Sequence, residues 1–485
     1  MAGAGPALLE QTFHEKTMRL ISILTAGVLA VLLPQSGFGE SVSDSFNDTT
    51  RINTAASSGY ELVRGTLRSS GGVDRGTGAD GPCSVSGDLN LSSNSCVGRS
   101  HADAVAFRVT APVAANQATI PLELAPIGLT DGDEVLIINL LNPAGDGAIV
   151  GQHETRRILS ISNNTLTLDA NLTHAYDGTT SRIMVQRVPN YTSVSVSAGA
   201  TLSANGFNGS LGGVFFIRVH DAVTMMEHGS IHMSGRGYRG GMGPPPPPPL
   251  ASWNGGFRGE GPTTIDKSLR TYTQSHGSGG GGDAEECAVG QGGGGGGHGS
   301  PGANGGAQWL TCNNGTKKWS FGENRAEGGV AIGTPDLANL LMGPGGGSGG
   351  VDGNDPDWGG GGGAGGGIIV IAAQSVAVHG GIHSNGGPGS LGISETGGGG
   401  GGAGGSILLQ AYSLSLDSNR VTASAGAGGG SQHTPGNAGG AGGVGRIAVR
   451  SFLPPSGSTS PSAFLQTLSY SPATVTSTNL LAGTG

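Results

Sequence analysis

The feature that most constrains this chain is an internal repeat. Gly359 to Gly367, a glycine run broken only by Ala364, leads into the apolar segment Ile368 to His379. Gly397 to Gly405, broken only by Ala403, leads into Ser406 to Asp417. Ile369 superposes on Ile407 and Val378 on Leu416, a shift of 38 residues, and a third copy begins at Gly439 and continues through Arg446 to Val449. Segments that repeat at such a period bury their apolar faces by stacking on one another, so the repeat predicts a solenoid. The same grammar occurs earlier, in Tyr191 to Ser203, Gly212 to Val219, Ala222 to Met226 and Gly229 to Met233. One stacked unit therefore begins near residue 190, is interrupted from about 235 to 358, and resumes. In that register Ile369, Ile371 and Val378 lie under Ile407, Leu409 and Leu416.

The glycine runs pose a physical problem. Of the 485 residues 98 are Gly, a level that without a Gly-X-Y period normally signals low complexity, because glycine loses the most backbone entropy on ordering. Glycines have no side chains to bury, so hydrophobic burial does not hold them in place. Two ordered solutions remain: tight corners of a parallel β-helix, or extended threefold helices packed side by side through backbone hydrogen bonds. Disordered loops between strands are the third.

Ahead of the solenoid, six short segments alternate or run apolar between turn signals: 104–109, 119–124, 134–139, 155–161, 165–168 and 182–187. Strands at that spacing predict a small antiparallel β-barrel or sandwich. Asp131, Asp133 and Glu134 invite a metal reading, yet an Asp-Gly turn explains the first two. The fold class is all-β: a small β module over 104–189, then a glycine-rich β-helix-like or polyglycine-helix solenoid over 190–453, with a Pro/Gly-rich insertion at 235–358. Residues 40–103 read as a weakly ordered Ser/Gly-rich lead-in and 454–485 as a disordered tail. Within the insertion, Pro244 to Pro249 predict a stiff polyproline II spacer, and only Thr334 to Met342 looks briefly helical.

Residues 1–39 read as a signal peptide with an upstream extension before Met18. Lys16 and Arg19 precede the apolar run Leu20 to Leu33, and small residues specify cleavage after Gly39. Fourteen apolar residues fall short of the ~20 that a spanning helix needs, and no stable membrane span is expected in the mature chain. Four cysteines suit an exported protein, and Cys83 with Cys96 and Cys287 with Cys312 are the natural local disulfides, although sequence alone allows three connectivities. A net charge of -9 with no Lys/Arg cluster argues against nucleic acid.

Two constellations carry possible chemistry. His228 and His232, and His379 and His383, fall at equivalent points of two units; if each pair shared a strand face, four imidazoles would form a ladder able to ligate zinc or copper. The shift of 38 puts Asp417 and Val421 at those points in the next unit. Asp352, Asn354, Asp355 and Asp357 place four oxygen side chains in six residues of a glycine loop, a set suited to Ca²⁺. Nucleotide-binding and nucleophile-elbow patterns lack their context, with no G-K-[ST] and no strand-turn-helix around a G-x-S-x-G. No pair of acids stands out for glycoside hydrolysis.

The order of segments "GDEVLIINL", "HETRRILSISNNTLTLDANLTHAY", "VPNYTSVSVSAGATLSANGFNG", "GTPDLANLLMGPGGGSGG" and "GGGGAGGGIIVIAAQSVAVHGGIHSNGG" resembles exported glycine-rich bacterial surface proteins. These are the myxobacterial adventurous-gliding-motility-type β-solenoid proteins, and the resemblance spans about residues 104 to 450. It implies a secreted or cell-surface structural or adhesive protein without catalysis, whose partners are extracellular matrix, polysaccharide or other copies of itself. A carbohydrate-binding or carbohydrate-cleaving β-helix is the alternative, and an extracellular metal-binding protein the second.

Overall fold

The computed structural model describes residues 73–143, 145, 147–243, 255–263, 269–283, 290–307, 325–351, 358–432 and 435–469, together with strands Tyr60–Val63 and Thr66–Ser69. The chain divides into two units. In the first, Met1–Gly72 with Ser469–Gly485, the two strands just named pair antiparallel. The second, Val73–Leu468, contains everything that follows. The expected signal peptide, Cys287, Cys312, the six prolines and the Asp352 to Asp357 cluster lie outside the described residues.

The repeats form two parallel sheets. Seven long strands stack in the order Gly81–Val85, Asn190–Val196, Val214–Met225, Ile368–Val378, Ser406–Leu416, Arg446–Ser451 and Phe464–Thr467. Six short ones stack beside them, Leu89–Asn90, Thr201–Ser203, Ser230–His232, Gly381–His383, Val421–Thr422 and Thr459–Ser460. The expected register holds: Ile369 pairs with Ile407, Ile371 with Leu409 and Val378 with Leu416, and Ile407 pairs in turn with Ile447. Val214–Met225 pairs directly with Ile368–Val378, so the interrupted stack closes across the insertion.

Alternate residues of the long strands fill two different cores. Ile369, Ile371, Ile407, Leu409, Ile447 and Val449 point into the solenoid. Ile368, Val370, Leu408 and Ala448 face the other way, toward Leu136, Ile138, Met184, Leu340 and Met342. A parallel sheet buried on both faces needs near-continuous apolar strands, which is why "IIVIAA" does not alternate.

The boundaries change at both ends of the stack. Gly81–Val85 and Leu89–Asn90 are its first rung, so the residues expected as a weakly ordered lead-in belong to the solenoid. Thr459–Ser460 and Phe464–Thr467 are its last, which corrects the disordered tail from residue 454. Low apolar content and many Ser and Gly are compatible with these rungs because a two-to-five-residue strand needs only a few inward side chains when the neighbouring rung supplies the rest. Thr334 to Met342 forms turns rather than a helix, with Leu337 at φ +54°.

The module inserted between the first two rungs contains all six expected strands. They form an antiparallel sheet ordered Ala106–Val109, Arg182–Val188, Glu134–Leu141, His153–Ser162, Thr165–Leu168, Thr119–Pro121. The amide of Glu123 donates to the Arg108 carbonyl between the two edges, which is one bond and not the ladder of a closed barrel.

The glycine runs take the second of the ordered solutions. Along residues 397–405 the amides donate in threes: Gly397, Gly400 and Ala403 to Gly350, Gly347 and Pro344; Gly398, Gly401 and Gly404 to Asn437, Gly440 and Gly443; Gly399, Gly402 and Gly405 to Ser390, Gly387 and Ser384. Every third residue meets the same neighbour, as a helix of three residues per turn requires. The carbonyls of the same run accept from three further segments, through Gly360 and Gly363, Gly293 and Gly296, and Gly426 and Gly429. Six strings of backbone therefore surround this one. The repeats through Gly381–His383 and Val421–Thr422 each supply an outgoing and a returning glycine helix before the next long strand, and the described residues of the insertion supply more of the same lattice.

Candidate functional site

The small module is fixed to the solenoid by a buried ionic seam that the sequence did not reveal. Arg218, from the third long strand, donates from Nε to Glu134 Oε1 at 2.6 Å, and Asn190 Nδ2 donates to Glu134 Oε2 at 3.0 Å. Arg187 donates to Asp133 Oδ1 at 2.7 Å and Asp80 Oδ1 at 2.6 Å. Tyr191 donates its hydroxyl to Asp103 Oδ2 at 2.7 Å. Burial alone would lower the Arg218 pKa, but Glu134 and Asp74 beside it raise it above the usual arginine value. Burial and the Asp103 carboxylate push the Tyr191 hydroxyl well up, so it remains a donor. Asp133 also accepts the Thr130 amide at 2.8 Å, the turn role expected of it. These charges are paired and satisfied, and their chemistry is that of a joint.

Of the expected disulfides, Cys83–Cys96 is formed. Cys83 is buried in the solenoid core, with Cys96 and Val97 packed against it, so the bridge and its loop cover the first rung.

The four histidines do not form a ladder. His379 follows the end of one strand and His383 ends the next, with a corner between, so the rule that i and i+4 share a strand face does not apply to them. His379 pairs instead with Asp417 at 3.4 Å. His228 sits exposed in a corner two residues longer than its counterpart, at φ +62°, beside Glu227. His232 and His383 do come together, paired in register with ring centroids 6.3 Å apart. The next rung places Thr422 rather than Val421 against His383, because the corner before it is one residue longer than the shift of 38 allows. Burial first, then Arg236 for His232, and His232 and Arg420 for His383, hold both imidazoles below their ordinary pKa. Among the described residues no group of three or more His, Cys, Asp or Glu is arranged for a metal ion.

Two surface features remain. Tyr412 and Phe452 stack on adjacent rungs, centroids 5.8 Å apart and 29° from parallel. At the end of the glycine helices away from the strands, Trp358, Leu391 and Ile393 are each about half exposed. Thr396 Oγ1 donates to the Trp358 carbonyl at 3.2 Å and the Ser394 amide to Gln432 Oε1 at 3.3 Å, so successive hairpin tips are tied together. Val351, which precedes the acidic cluster, and Trp358, which follows it, are at this same end, since Gly349 bonds Gly360 and Gly360 bonds Gly397.

No protein-family profile and no curated protein matches the chain. Among solved structures it is similar to the tailspike protein gp49 from Pseudomonas phage LKA1, at 20% identity over 26% of this chain and 25% of that one, TM-score 0.16. It is similar to the Pseudomonas phage phi297 tailspike gp61, at 15% identity over 32% of this chain and 26% of that one, TM-score 0.16. A third likeness is to the Gp54 tailspike of Acinetobacter baumannii bacteriophage AP22, solved in complex with A. baumannii capsular saccharide. It has 8% identity over 75% of this chain and 56% of that one, TM-score 0.17. The chain thus spans about a quarter of the length of the first two. At such TM-scores the likenesses define no function, and the all-β architecture with parallel sheets stands on its own register. No described helix is long and apolar enough to cross a membrane.

Proposed function

We propose that the chain is an exported, non-catalytic structural or adhesive protein, in which the solenoid is a stem and the glycine-helix lattice a stiff block carrying its contact surface at the far end. The observation that supports this reading is the helix at 397–405, bonded through its backbone to six neighbouring backbone segments. Such packing commits the described glycine runs to a rigid body with almost no functional side chains. Rigidity with a displaced tip, where Trp358, Leu391 and Ile393 are exposed, suits adhesion to a matrix, a polysaccharide or a second copy.

The test is fractionation of the native source with an antibody to this chain, followed by binding of the purified protein to cell-wall and capsular polysaccharides and to itself. Recovery at the cell surface or in the medium, with binding weakened by Trp358→Ala/Ile393→Ser, is the expected result. Recovery in the cytosol, or depolymerisation of a polysaccharide that acid-to-amide substitutions abolish, would overturn it.

The stacked pair Tyr412 and Phe452 favours a second reading, carbohydrate binding along the solenoid flank, since aromatic faces are the usual platform for sugar rings. Loss of polysaccharide binding in Tyr412→Ala, with Trp358→Ala/Ile393→Ser unaffected, would move the contact surface from the tip to the flank.

A further inference from the structure

The last rung of the stack ends with its core residues in water. Val449 pairs in register with Leu465 on one side and with Leu409 on the other, and Leu409 pairs in turn with Ile371. Register therefore puts Leu465 at the foot of the inward column that fills the solenoid core. Ile371, Leu409 and Val449 are buried, whereas Leu465 is 61% exposed. The alternate column ends the same way. Ala448 lies in the second core, and its partner Phe464 is 40% exposed. All four residues of Phe464–Thr467 are exposed, and the strand is the outer member of its sheet, with no described strand beyond it.

An edge of this kind is a template for another strand, and natural sheets normally protect it with charge, proline or a bulge. No Asp, Glu, Lys, Arg or His occurs after Arg450, and Phe464–Thr467 contains no proline and pairs without a register shift. Its free side offers backbone donors and acceptors between apolar side chains, with nothing to repel a like strand. The other end of the stack differs. Gly81–Val85 is also an outer strand, but there Leu91, Cys96, Val97 and Ala104 pack on the core beside the Cys83–Cys96 bridge. Asp80 and Asp88 flank that strand as well. The two ends are therefore not complementary, and a head-to-tail filament is disfavoured.

We propose that the occupant of the Phe464–Thr467 edge is the same edge of a second copy of this chain, paired antiparallel across a two-fold axis. Residues directly opposite in an antiparallel pair share a face of the sheet. Centring the axis on Leu465 sets it against Leu465 of the second copy and Phe464 against Gln466, so each core column continues into the other molecule. A contact of this isologous type uses up its own surface, and assembly stops at the dimer. The edge shares no residue with the tip of the glycine lattice, so its test stands whether or not the tip binds anything.

The experiment is sedimentation of the full-length protein over a range of chain concentrations, with Leu465→Lys and Leu465→Cys beside wild type. Leu465 is largely exposed in the single chain, so neither substitution removes a contact that the monomer needs. Wild type is expected to sediment as a dimer and Leu465→Lys as a monomer. Leu465→Cys is expected to give a disulfide-linked dimer on mild oxidation, since directly opposed Cβ atoms lie about 4.5–5.5 Å apart. Leu391→Cys, exposed at the tip, is expected to remain unlinked. A wild type that stays monomeric overturns the proposal, including the case in which residues 469–485 shield the Leu465→Cys thiol from alkylation. So does a dimer that Leu465→Lys leaves intact, with Leu391→Cys cross-linking in place of Leu465→Cys. The wild-type sedimentation requires no variant and decides the matter even if a substitution prevents folding.

Discussion

Gly400 and Gly294 lie so close that a Cβ on Gly400 would stand 2.0 Å from the Gly294 carbonyl oxygen. The obstacle is backbone held by its own hydrogen bonds on both sides, so it has nowhere to go. Overpacking a rigid site costs typically 1–3 kcal/mol, and Gly400→Ala is expected to destabilise the protein by ~3 kcal/mol or more. Gly87, with nothing within 4 Å of its Cβ position and an ordinary φ, is the control, and Gly87→Ala should change stability by under about 0.5 kcal/mol. Equal denaturation midpoints for the two variants would mean that the helices are not packed as described.

All nine amides from Gly397 to Gly405 donate to a backbone carbonyl. Hydrogen exchange across this stretch should therefore be as slow as in Ile368–Val378, despite the absence of regular α or β structure. Exchange at the rate of free peptide would demote the run to a linker.

Removing one partner of a buried, hydrogen-bonded charge pair leaves the other unpaired at a cost of about 3–5 kcal/mol. Arg218 and Glu134 are 6% and 4% exposed. Arg218→Met is expected to cost that much in denaturant unfolding, and Glu134→Leu/Arg218→Met to recover part of it. A loss under 1 kcal/mol for the single variant would show that the seam is not dry.

His298 is fully buried, with Nδ1 2.8 Å from the Gly404 carbonyl and Nε2 unpartnered among the described residues. Burial, opposed by the Gly404 bond and aided by Arg446, brings its pKa down to about 4. A base depressed in the folded state favours unfolding once the unfolded chain begins to take up its proton. Stability should thus be constant in this respect above about pH 6.5. It should fall by ~1.4 kcal/mol per unit from there toward pH 4, about 3 kcal/mol in all. His298→Gln should flatten the acid limb of a plot of unfolding free energy against pH; an unchanged slope would rule the residue out.

Cys83 and Cys96 are separated by 13 residues, and closing a loop of that size is worth about 3 kcal/mol. Cys83→Ser is expected to lower stability by that order. Because Cys83 lies at the buried start of the stack, exchange should quicken first in Gly81–Val85 and Asn190–Val196.

The stack itself was legible because apolar residues at fixed spacing have one way to be buried. Ile369 over Ile407 follows from pattern alone, and so does the closure of Val214–Met225 onto Ile368–Val378 across the insertion. The short end rungs were not legible, since Leu89–Asn90 and Thr459–Ser460 carry too few residues to show a period. In-register pairing brings His232 to His383, while the corners, whose lengths vary by a residue or two, carry His228 and His379 elsewhere. The ionic seam gave no local signal, because Arg218 and Glu134 are 84 positions apart and each looks like an ordinary strand residue.

What the sequence by itself determined is therefore the inner rungs, their register and the presence of an insertion, all consequences of side chains that must leave water. The arrangement of the glycines was decided only in three dimensions. A glycine run carries no side chain to name its neighbour, so its six partners are set by where the adjoining strands anchor its two ends, and by the requirement that every amide and carbonyl between those anchors find a partner.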